Sequence, residues 1–235
     1  MAQQALRRAP LSRDRVLRAA VALADKAGIE SLSMRRLADE LGVVPMAFYK
    51  HVANKDELLD GMIDVVVGEI DPPVSGVDWK SAVRQRVLSA RRALLRHPWA
   101  SQVIESRKSA TPLVMEYMDS MIGMFLAGGF SLDLTHHLMH AMGSRLLGFS
   151  QELFKDSATM DPQVLAAMQR QLAGVYPNIV ELTMAVYHDE ASVVGPGCDD
   201  QFEFEFALDL MLDGLEKLRK REQASATDRR RRSKT

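Results

Sequence analysis

Residues 32–59 read LSMRRLADELGVVPMAFYKHVANKDELL, and this stretch decides the fold. Two well-capped helix patterns flank a short segment, residues 44–51. Ser33 is a good N-cap for the first pattern and Gly42 is a natural stop, while Asn54 caps the second pattern. The middle segment is too short to hold a helix by itself in water. It must therefore be supported by its neighbours.

The sequence around this segment predicts a compact N-terminal three-helix domain, which we call the head. Ser12 can cap a helix that ends at Gly28, and its apolar residues recur at helical spacing. Pro45 suits the first position of a third helix, because its missing N–H would be unpaired there. Glu57, three residues after Asn54, completes an Asn form of the capping box for a fourth helix. The first three helices fit a helix-turn-helix.

A helix-turn-helix places a short exposed helix in the major groove of DNA while the preceding helix crosses the backbone. Candidate DNA contacts on the short helix and at the neighbouring helix starts are Arg35, Arg36, Val44, Pro45, Met46, Ala47, Tyr49, Lys50, His51 and Lys55. A Tyr-Lys-His helix end is commonplace when taken alone. The cap, the glycine turn, the proline and the cations together favour DNA binding.

The bulk composition is that of a globular protein. The chain has 235 residues, of which 47% are hydrophobic and 26% charged. Cys198 is the single cysteine, so no internal disulfide can form, which fits a reducing compartment. The sequence contains no run of about 18 apolar residues, so no membrane span is predicted. The N-terminus has no apolar signal-peptide core. We therefore expect a cytoplasmic protein.

The charge is distributed unevenly along the chain. Residues 1–55 hold ten Lys and Arg against five Asp and Glu, a net charge of +5. Residues 56–216 hold eleven against twenty-four (−13), and residues 217–235 hold nine against two (+7). Charge runs are often only solvated faces, but this pattern also indicates different partners for different parts of the chain.

The rest of the chain predicts more helices and no convincing strand. FEFEF at 202–206 alternates like a strand, but the apolar residues after it continue at helical spacing. Predicted helices run from Asp78 to Arg96, over 99–107, from Thr111 to Ala127, from Ser131 to Lys155, from Asp161 onward with an interruption at Pro177, and over 200–221. Residues 189–199 predict a loop, and the basic tail predicts disorder. The fold class is all-α.

Residues 12–60 resemble the N-terminal domain of the TetR family of transcriptional repressors, through AGIESLSMRRLADELGV and the run F-Y-K-H-V-x-N-K-D-E-L-L. VDWKSAVRQRVLSARRALLRHP and AGGFSLD resemble, more weakly, the regulatory domain of the tetracycline repressors. The resemblance implies a helix-turn-helix DNA-binding domain at 1–66, a larger helical effector-binding and dimerisation domain at 67–221, and a basic disordered tail at 222–235. It implies a homodimeric repressor that binds double-stranded operator DNA and is released by a small-molecule effector.

The resemblance also assigns roles to single residues. Arg35, Tyr49, His51 and Lys55 would contact phosphates, and residues 44–47 would face bases. Those four residues (Val44, Pro45, Met46 and Ala47) depart from the tetracycline repressor pattern and offer almost no side-chain donors. Base reading would then depend on thymine methyl groups, Lys50, Arg35 and DNA shape. The operator is therefore not expected to be the tetracycline operator.

The expected dimer helices lie near 131–155 and 200–221, although their apolar faces could also be ordinary core. Methionine adapts to irregular ligands, so a Met-rich zone is a candidate effector pocket. The pocket set is Trp99, Met115, Met118, Met121, Phe125, Met139, Met142 and Arg145. Core packing is the rival interpretation of the methionines, and Arg145 could instead pair with an acid across the dimer.

No metal and no cofactor is predicted. His136 and His140 lie one turn apart, but no glutamate follows the first histidine and no second ligand cluster is present. The resemblance aligns Arg86, Ala90 and Ile104 with tetracycline- and magnesium-binding positions, which argues against that effector.

Two other classes of function, an enzyme and an interaction protein, are alternatives to a DNA-binding regulator. The chain has no Ser/His/Asp or Cys/His grouping and no phosphate-binding loop, so we do not expect an enzyme. The apolar reading face keeps open a helical interaction protein with a degenerate helix-turn-helix that no longer binds DNA.

Overall fold

The structure is a computed structural model that describes residues 10–47, 49–148, 162–186 and 200–232. All regular elements in these ranges are helical, so the all-α prediction is confirmed. The α-helices are α1 (Arg13–Ala27), α2 (Met34–Leu41), α3 (Lys55–Val67), α4 (Trp79–Arg96), α5 (Ala100–Ser106), α6 (Pro112–Ala127), α7 (Leu132–Gly148), α8 (Pro162–Ala173), α9 (Pro177–Val186) and α10 (Asp200–Arg232). Short 3₁₀ turns lie at Ile29–Ser31 and Pro45–Ala47.

Side-chain caps start the helices of the head as the sequence predicts. Ser33 Oγ accepts a hydrogen bond from the Arg36 backbone N–H at 3.2 Å at the start of α2. At the start of α3, Asn54 Oδ1 accepts from the Glu57 N–H at 2.8 Å, and Glu57 Oε2 accepts from the Ala53 N–H at 2.7 Å. The predicted capping box is therefore confirmed.

The predicted third helix is the main local difference. Gly42 ends α2 in the left-handed conformation (φ 66°), which glycine adopts without strain. The chain after it forms only the 3₁₀ turn Pro45–Ala47, in which the Ala47 N–H donates to Val44 O at 2.9 Å. A turn follows at residues 49–51, and Phe48 lies outside the described residues. Such a short segment forms i→i+3 bonds before it can build an α-helical turn.

One hydrophobic core joins the head to the helices that follow it. Its buried residues are Val16, Leu17, Ala20, Val21, Leu23, Ala24, Leu32, Leu37, Ala38, Leu41, Val52, Leu58, Met62, Ile63, Val66, Ala93, Trp99, Ala100 and Val103. The last four belong to α4, α5 and the turn between them. Helix α3 packs against α1 and also against α4, α5 and α6. Helix α3 is therefore the structural link between the head and helices α4–α6, which form the body of the same unit.

The chain forms two compact units, Met1–Leu146 and Leu147–Thr235. The head therefore shares its unit with α4–α6 and most of α7. The functional division predicted at residues 66 and 67 stays a prediction. Within the second unit α8 packs on α9, and the predicted interruption at Pro177 is confirmed because α9 begins there.

One predicted helix end differs from the structure. Helix α10 continues to Arg232, beyond the predicted end at 221, so residues 222–232 of the expected disordered tail are helical. No glycine or proline follows Gly214 in this helix, and Glu, Lys, Arg, Gln and Ala are good helix formers. Helix α7 is described up to Gly148, and the end predicted for it at Lys155 lies outside the described residues. The loop predicted at 189–199 lies outside the described residues.

A close approach between α4 and α6 gives a stability prediction. A methyl group added at Gly128 would lie 2.7 Å from Trp79 Cβ, whereas one at Gly123, in the middle of α6, would meet no atom within 4 Å. Trp79 cannot move freely, because its ring packs edge-on against Phe130 at 4.7 Å.

We expect Gly128→Ala to lower the free energy of unfolding by about 1–3 kcal/mol through overpacking. The matched control Gly123→Ala should raise it by about 0.5–1 kcal/mol, because alanine favours a helix interior. Urea unfolding at one fixed protein concentration measures both. Equal effects of the two substitutions would contradict the packing described.

Candidate nucleic-acid interface and effector groove

Residues 44–51, the reading segment, present an exposed surface on a buried base. Val44 and Met46 are 68% and 73% exposed, and Tyr49 and Lys50 are also exposed. Immediately after the segment, Val52 is fully buried in the core of the head. Single exposed apolar side chains are common on protein surfaces, but several within one short segment can mark an interaction site. The exposed tip is therefore a candidate contact surface.

Four cations on or next to the reading segment have no ion-pair partner among the described residues. Arg35 and Arg36 are exposed in the first turn of α2, and Lys55 is exposed in the first turn of α3. Within the described part of the chain, these three and Lys50 take part in no ion pair. Several arginines elsewhere in the same unit have acidic partners, as Arg18 has Asp14 at 2.9 Å. Unpaired cations beside exposed apolar groups suit a polyanion that also carries methyl groups.

The remaining residues predicted to contact DNA also belong to the reading segment. Pro45 is exposed, and Ala47 and His51 are half-buried. The predicted DNA contacts thus lie on the reading segment and in the first turns of α2 and α3, and their role stays a prediction.

Ion pairs fasten α3 to the segment after α5. Arg107, which follows α5, donates a hydrogen bond to Asp56 Oδ1 at 2.8 Å. Its Nε lies 2.7 Å from Asp60 Oδ1, although the N–H does not point along that line. The hydrogen bond from Arg107 and the charge of its guanidinium lower the pKa of Asp56. The first turns of α3, which carry Lys55, are thus tied directly to the body.

A second polar cluster joins α1 to the end of α4. His97 Nδ1 lies 2.8 Å from Asp25 Oδ1, and its Nε2 lies 3.3 Å from Glu69 Oε2. The Trp99 indole N–H donates to Asp25 Oδ1 at 2.7 Å. Burial by itself raises the pKa of Glu69, but hydrogen bonds from Arg96 and His97 outweigh this effect and lower it. Trp99, expected as a pocket wall, is therefore part of the head core.

A third polar cluster fixes the linker between α3 and α4. The Ser89 hydroxyl donates to Asp71 Oδ2 at 2.7 Å, and this hydrogen bond lowers the pKa of Asp71. Arg86 donates to the Asp71 carbonyl and lies 4.9 Å from the centre of the Tyr117 ring. Burial raises the pKa of Tyr117 to about 12. Arg86 therefore contacts the linker and α6.

A groove of about 370 Å³ lies between α6 and α7. Its described lining residues are Met118, Ile122, Leu132, Thr135, His136, Met139 and His140. Two of the predicted pocket residues, Met118 and Met139, line it. Thr135 and the two histidines were missed, although their spacing with Met139 places them on one side of a helix.

The other predicted pocket residues lie elsewhere. Met121, Phe125 and Met142 are buried, and the Phe125 ring packs against Phe130 at 5.5 Å. Met115 is exposed, and the side chain of Arg145 lies outside the described part. The predicted pocket is therefore divided between a packed aromatic cluster and an open groove.

Two kinds of feature are absent from the described residues. No group of three or more His, Cys, Asp or Glu side chains in these ranges is arranged to hold a metal ion. No helix there has the length and apolar character needed to cross a membrane.

Comparison with known proteins identifies the family. Residues 16–62 match the domain described as "Bacterial regulatory proteins, tetR family", and residues 72–219 match the "Tetracyclin repressor-like, C-terminal domain". The chain belongs to the tetR family. It is therefore a DNA-binding transcriptional regulator and not an enzyme, as the sequence predicts.

Individual proteins resemble most of the chain. The HTH-type transcriptional repressor DrrR1 of Streptomyces coeruleorubidus is 32% identical over 223 residues, which cover 88% of this chain and 78% of DrrR1. The structure of apo ActR from Streptomyces coelicolor has a TM-score of 0.70 at 27% identity and covers 88% of this chain and 95% of that one. BioQ with its double-stranded DNA operator has a TM-score of 0.54 at 28% identity and covers 60% of this chain and 86% of that one.

The Arg107 ion pair predicts a pH-dependent stability difference. The pKa of Asp56 is lower in the folded state than in the unfolded state, so the pair stabilises the fold above the unfolded value of about 4. This stabilisation is lost as the pH falls through the folded pKa. We expect Arg107→Gln to lower the urea midpoint at pH 7 and the difference from the parent to shrink below about pH 4.

Arg35→Gln is the matched control, because Arg35 is exposed and has no acidic partner among the described residues. It should leave the pH dependence of the midpoint unchanged. A difference for Arg107→Gln that stays constant from pH 7 to pH 3 would contradict the role of the ion pair.

Proposed function

We propose that this chain is a homodimeric repressor that binds operator DNA through α2 and the reading segment and releases it when a small molecule binds in the body. One observation carries the proposal: the exposed apolar tip at Val44 and Met46 is flanked by four cations that take part in no ion pair in the described structure. Its place of action would be the cytoplasm.

The relatives support each part of this proposal. DrrR1 is named as a repressor, and BioQ is seen with its own operator. ActR is seen in complex with actinorhodin, so a protein of similar fold holds a small molecule. Together they support a regulator that binds both DNA and a ligand.

The proposed contacts divide into phosphate and base contacts. Arg35, Arg36, Tyr49, His51 and Lys55 would hold the sugar–phosphate backbone, which fixes orientation without reading sequence. Val44, Pro45, Met46, Ala47 and Lys50 would face base edges. The first four lack side-chain donors, so thymine methyl groups would be their natural partners.

Dimerisation would align two reading segments. Two half-sites one turn apart on one side of DNA are about 34–36 Å apart, which one small head cannot span. The proposed dimer helices are α7 and α10. Helix α10 exposes Phe206, Leu210 and Leu218, which are large apolar side chains that a second copy could cover.

Effector release would act through α3. This helix packs into the head and is held by Arg107 through Asp56 and Asp60. A ligand that favours one arrangement of α6 and α7 would bias α3, because α3 packs against α6. A shift of α3 would move the reading segment away from the spacing that the operator requires.

A salt titration tests the phosphate contacts. We expect Lys55→Ala to weaken binding to all duplexes by a similar factor and to reduce the slope of log K against log salt by about 1. Lys217→Ala is the matched control: Lys217 is an exposed lysine of α10, and its loss should change neither quantity. Fluorescence anisotropy with DNA from upstream of the protein's own gene, and with a duplex selected from a random pool, measures both.

Binding that is neither specific nor salt-sensitive for the parent would contradict the proposal. The chain would then fit a helical interaction protein whose helix-turn-helix no longer binds DNA.

Base substitution tests the apolar contacts. Replacing thymine by deoxyuracil in the selected duplex removes only the 5-methyl group. We expect affinity to fall at one or two positions of each half-site for the parent, and the loss to be smaller for Met46→Ala and Val44→Ala. Equal losses in parent and variants would place the methyl contacts elsewhere.

A further inference from the structure

We propose that the C-terminal end of α10 is a second DNA-binding element, which contacts the phosphates of a duplex without reading its sequence. This element, the basic extension, comprises residues 219–232. It is separate from the proposed function, because it involves neither the reading segment nor an effector. Three features carry the inference: the charge of the extension, the spacing of its cations, and its lack of large apolar side chains.

The basic extension continues α10 beyond the packed part of the helix. The buried apolar side chains of α10 are Phe204, Leu208, Leu212 and Leu215. Residues 216–225, whose side chains the structure also describes, include no buried one. The backbone nevertheless stays helical up to Arg232. A helix can continue in this way because its packed part supplies the nucleus, and each further residue adds one hydrogen bond.

The extension carries a large positive charge for its length. It holds seven Lys and Arg against two Asp and Glu, a net charge of +5, whereas residues 56–216 carry −13. Glu216, just before the extension, accepts a hydrogen bond from Arg219 at 2.8 Å and lies 3.2 Å from Lys220 Nζ. The hydrogen bonds from Arg219 and Lys220 lower the pKa of Glu216 to about 2. With Glu216 included, the net charge is still +4.

The cations form two triplets at a helical repeat. The first triplet is Arg219, Lys220 and Arg221, and the second is Arg230, Arg231 and Arg232. The second follows the first by eleven residues, which is about three turns and about 16 Å of α-helix. The register therefore places each residue of the second triplet on the same side of the helix as its counterpart. The helix dipole favours cations in the last turn, but this effect does not reach the first triplet.

The composition of the extension indicates the class of partner. After Leu218, α10 contains no apolar residue larger than alanine. A helix that lies on a membrane needs a face of Leu, Phe or Trp, and the centre of a protein interface is usually apolar. A duplex needs neither, because phosphate contacts release counterions and do not depend on sequence. Basic helices that continue from a dimer helix enter the major groove in leucine-zipper proteins. Double-stranded DNA is therefore the partner that fits the extension.

A triple variant of the second triplet tests the element in the full chain. Arg230→Gln, Arg231→Gln and Arg232→Gln together remove three charges and keep good helix formers, which circular dichroism can check. Fluorescence anisotropy measures binding to a duplex of mixed sequence at several salt concentrations. We expect the slope of log K against log salt to fall by about 2 to 3 and the affinity at 0.1 M salt to fall about tenfold or more. Unchanged values would overturn the proposal, because the extension would then be only a solvated helix end.

A second triple variant is the matched control for net charge. Lys26→Gln, Lys80→Gln and Lys217→Gln remove the same charge from α1, α4 and the part of α10 that precedes the extension. This variant should keep the slope of the parent. A loss equal to that of the arginine variant would overturn the proposal, because total charge and not the extension would then govern binding.

Removing the two acids of the extension tests the opposite direction. Glu222→Gln and Asp228→Asn together raise its net charge from +5 to +7. We expect this variant to bind the mixed-sequence duplex more tightly than the parent. Weaker or equal binding would contradict a contact made through charge.

The acidic residues of another copy of the chain are the rival partner. Sedimentation velocity without DNA, at low and at high salt, tests this alternative. We expect the parent and the arginine variant to sediment alike at both salt concentrations. An assembly of the parent that salt dissolves and the variant does not form, together with unchanged DNA binding, would overturn the proposal.

A duplex selected from a random pool separates this proposal from the proposed function. The arginine variant should keep or increase the preference of the parent for that duplex over the mixed-sequence one, because only sequence-independent contacts are lost. A lost preference would overturn the sequence-independent role. If the parent itself shows no preference, the proposed function fails, and the slope on the mixed-sequence duplex still decides the role of the extension.

Discussion

The position of the reading segment depends on buried side chains on either side of it. Residues 44–51 contain one 3₁₀ turn and one further turn, which is too little hydrogen bonding to fix an exposed segment in water. Leu37 and Leu41 precede the segment and Val52 follows it, and all three are buried. The exposed tip is therefore held like a loop between two anchored ends. Its stiffness comes from the core of the head and not from its own backbone.

That core does not end with the head. Ala93, Trp99, Ala100 and Val103 pack into it from α4, α5 and the turn between them. Polar contacts reinforce the same connection, through Arg107 to the start of α3. Because packed cores transmit displacement rather than absorb it, a movement of α6 has a direct route through α3 to the reading segment. In the proposed function, this packing links ligand binding in the body to DNA binding.

Local features could be predicted from the sequence, and non-local ones could not. The caps at Ser33 and Asn54 were predictable, because each side chain bonds a backbone N–H three residues away. The place of Trp99 was not, because its partner Asp25 lies 74 positions earlier in the chain. The family motif predicts the residues that contact DNA from their order alone, and this assignment stays a prediction.

The groove and the end of the last helix were difficult to predict from the sequence, for different reasons. A methionine pattern cannot separate Met118 at a groove from Met121 in packing, since the two lie only one helical turn apart. The Thr135 hydroxyl has no hydrogen-bond partner among the described residues, and this depends on three-dimensional burial, which no residue pattern reports. The basic end of α10 combines a composition typical of disorder with good helix formers, and the helix formers prevail in the structure.

The shared core has a consequence for transplanting DNA specificity between relatives. A chimera cut at residue 66 would separate Trp99 and Val103 from the α1 and α3 side chains that they pack against, and would leave Asp25 without the indole and imidazole that it contacts. A portable reading module must therefore include at least the stretch from α1 to Arg107. Exchanging only the helix-turn-helix would require the acceptor's fifth helix to be redesigned with it.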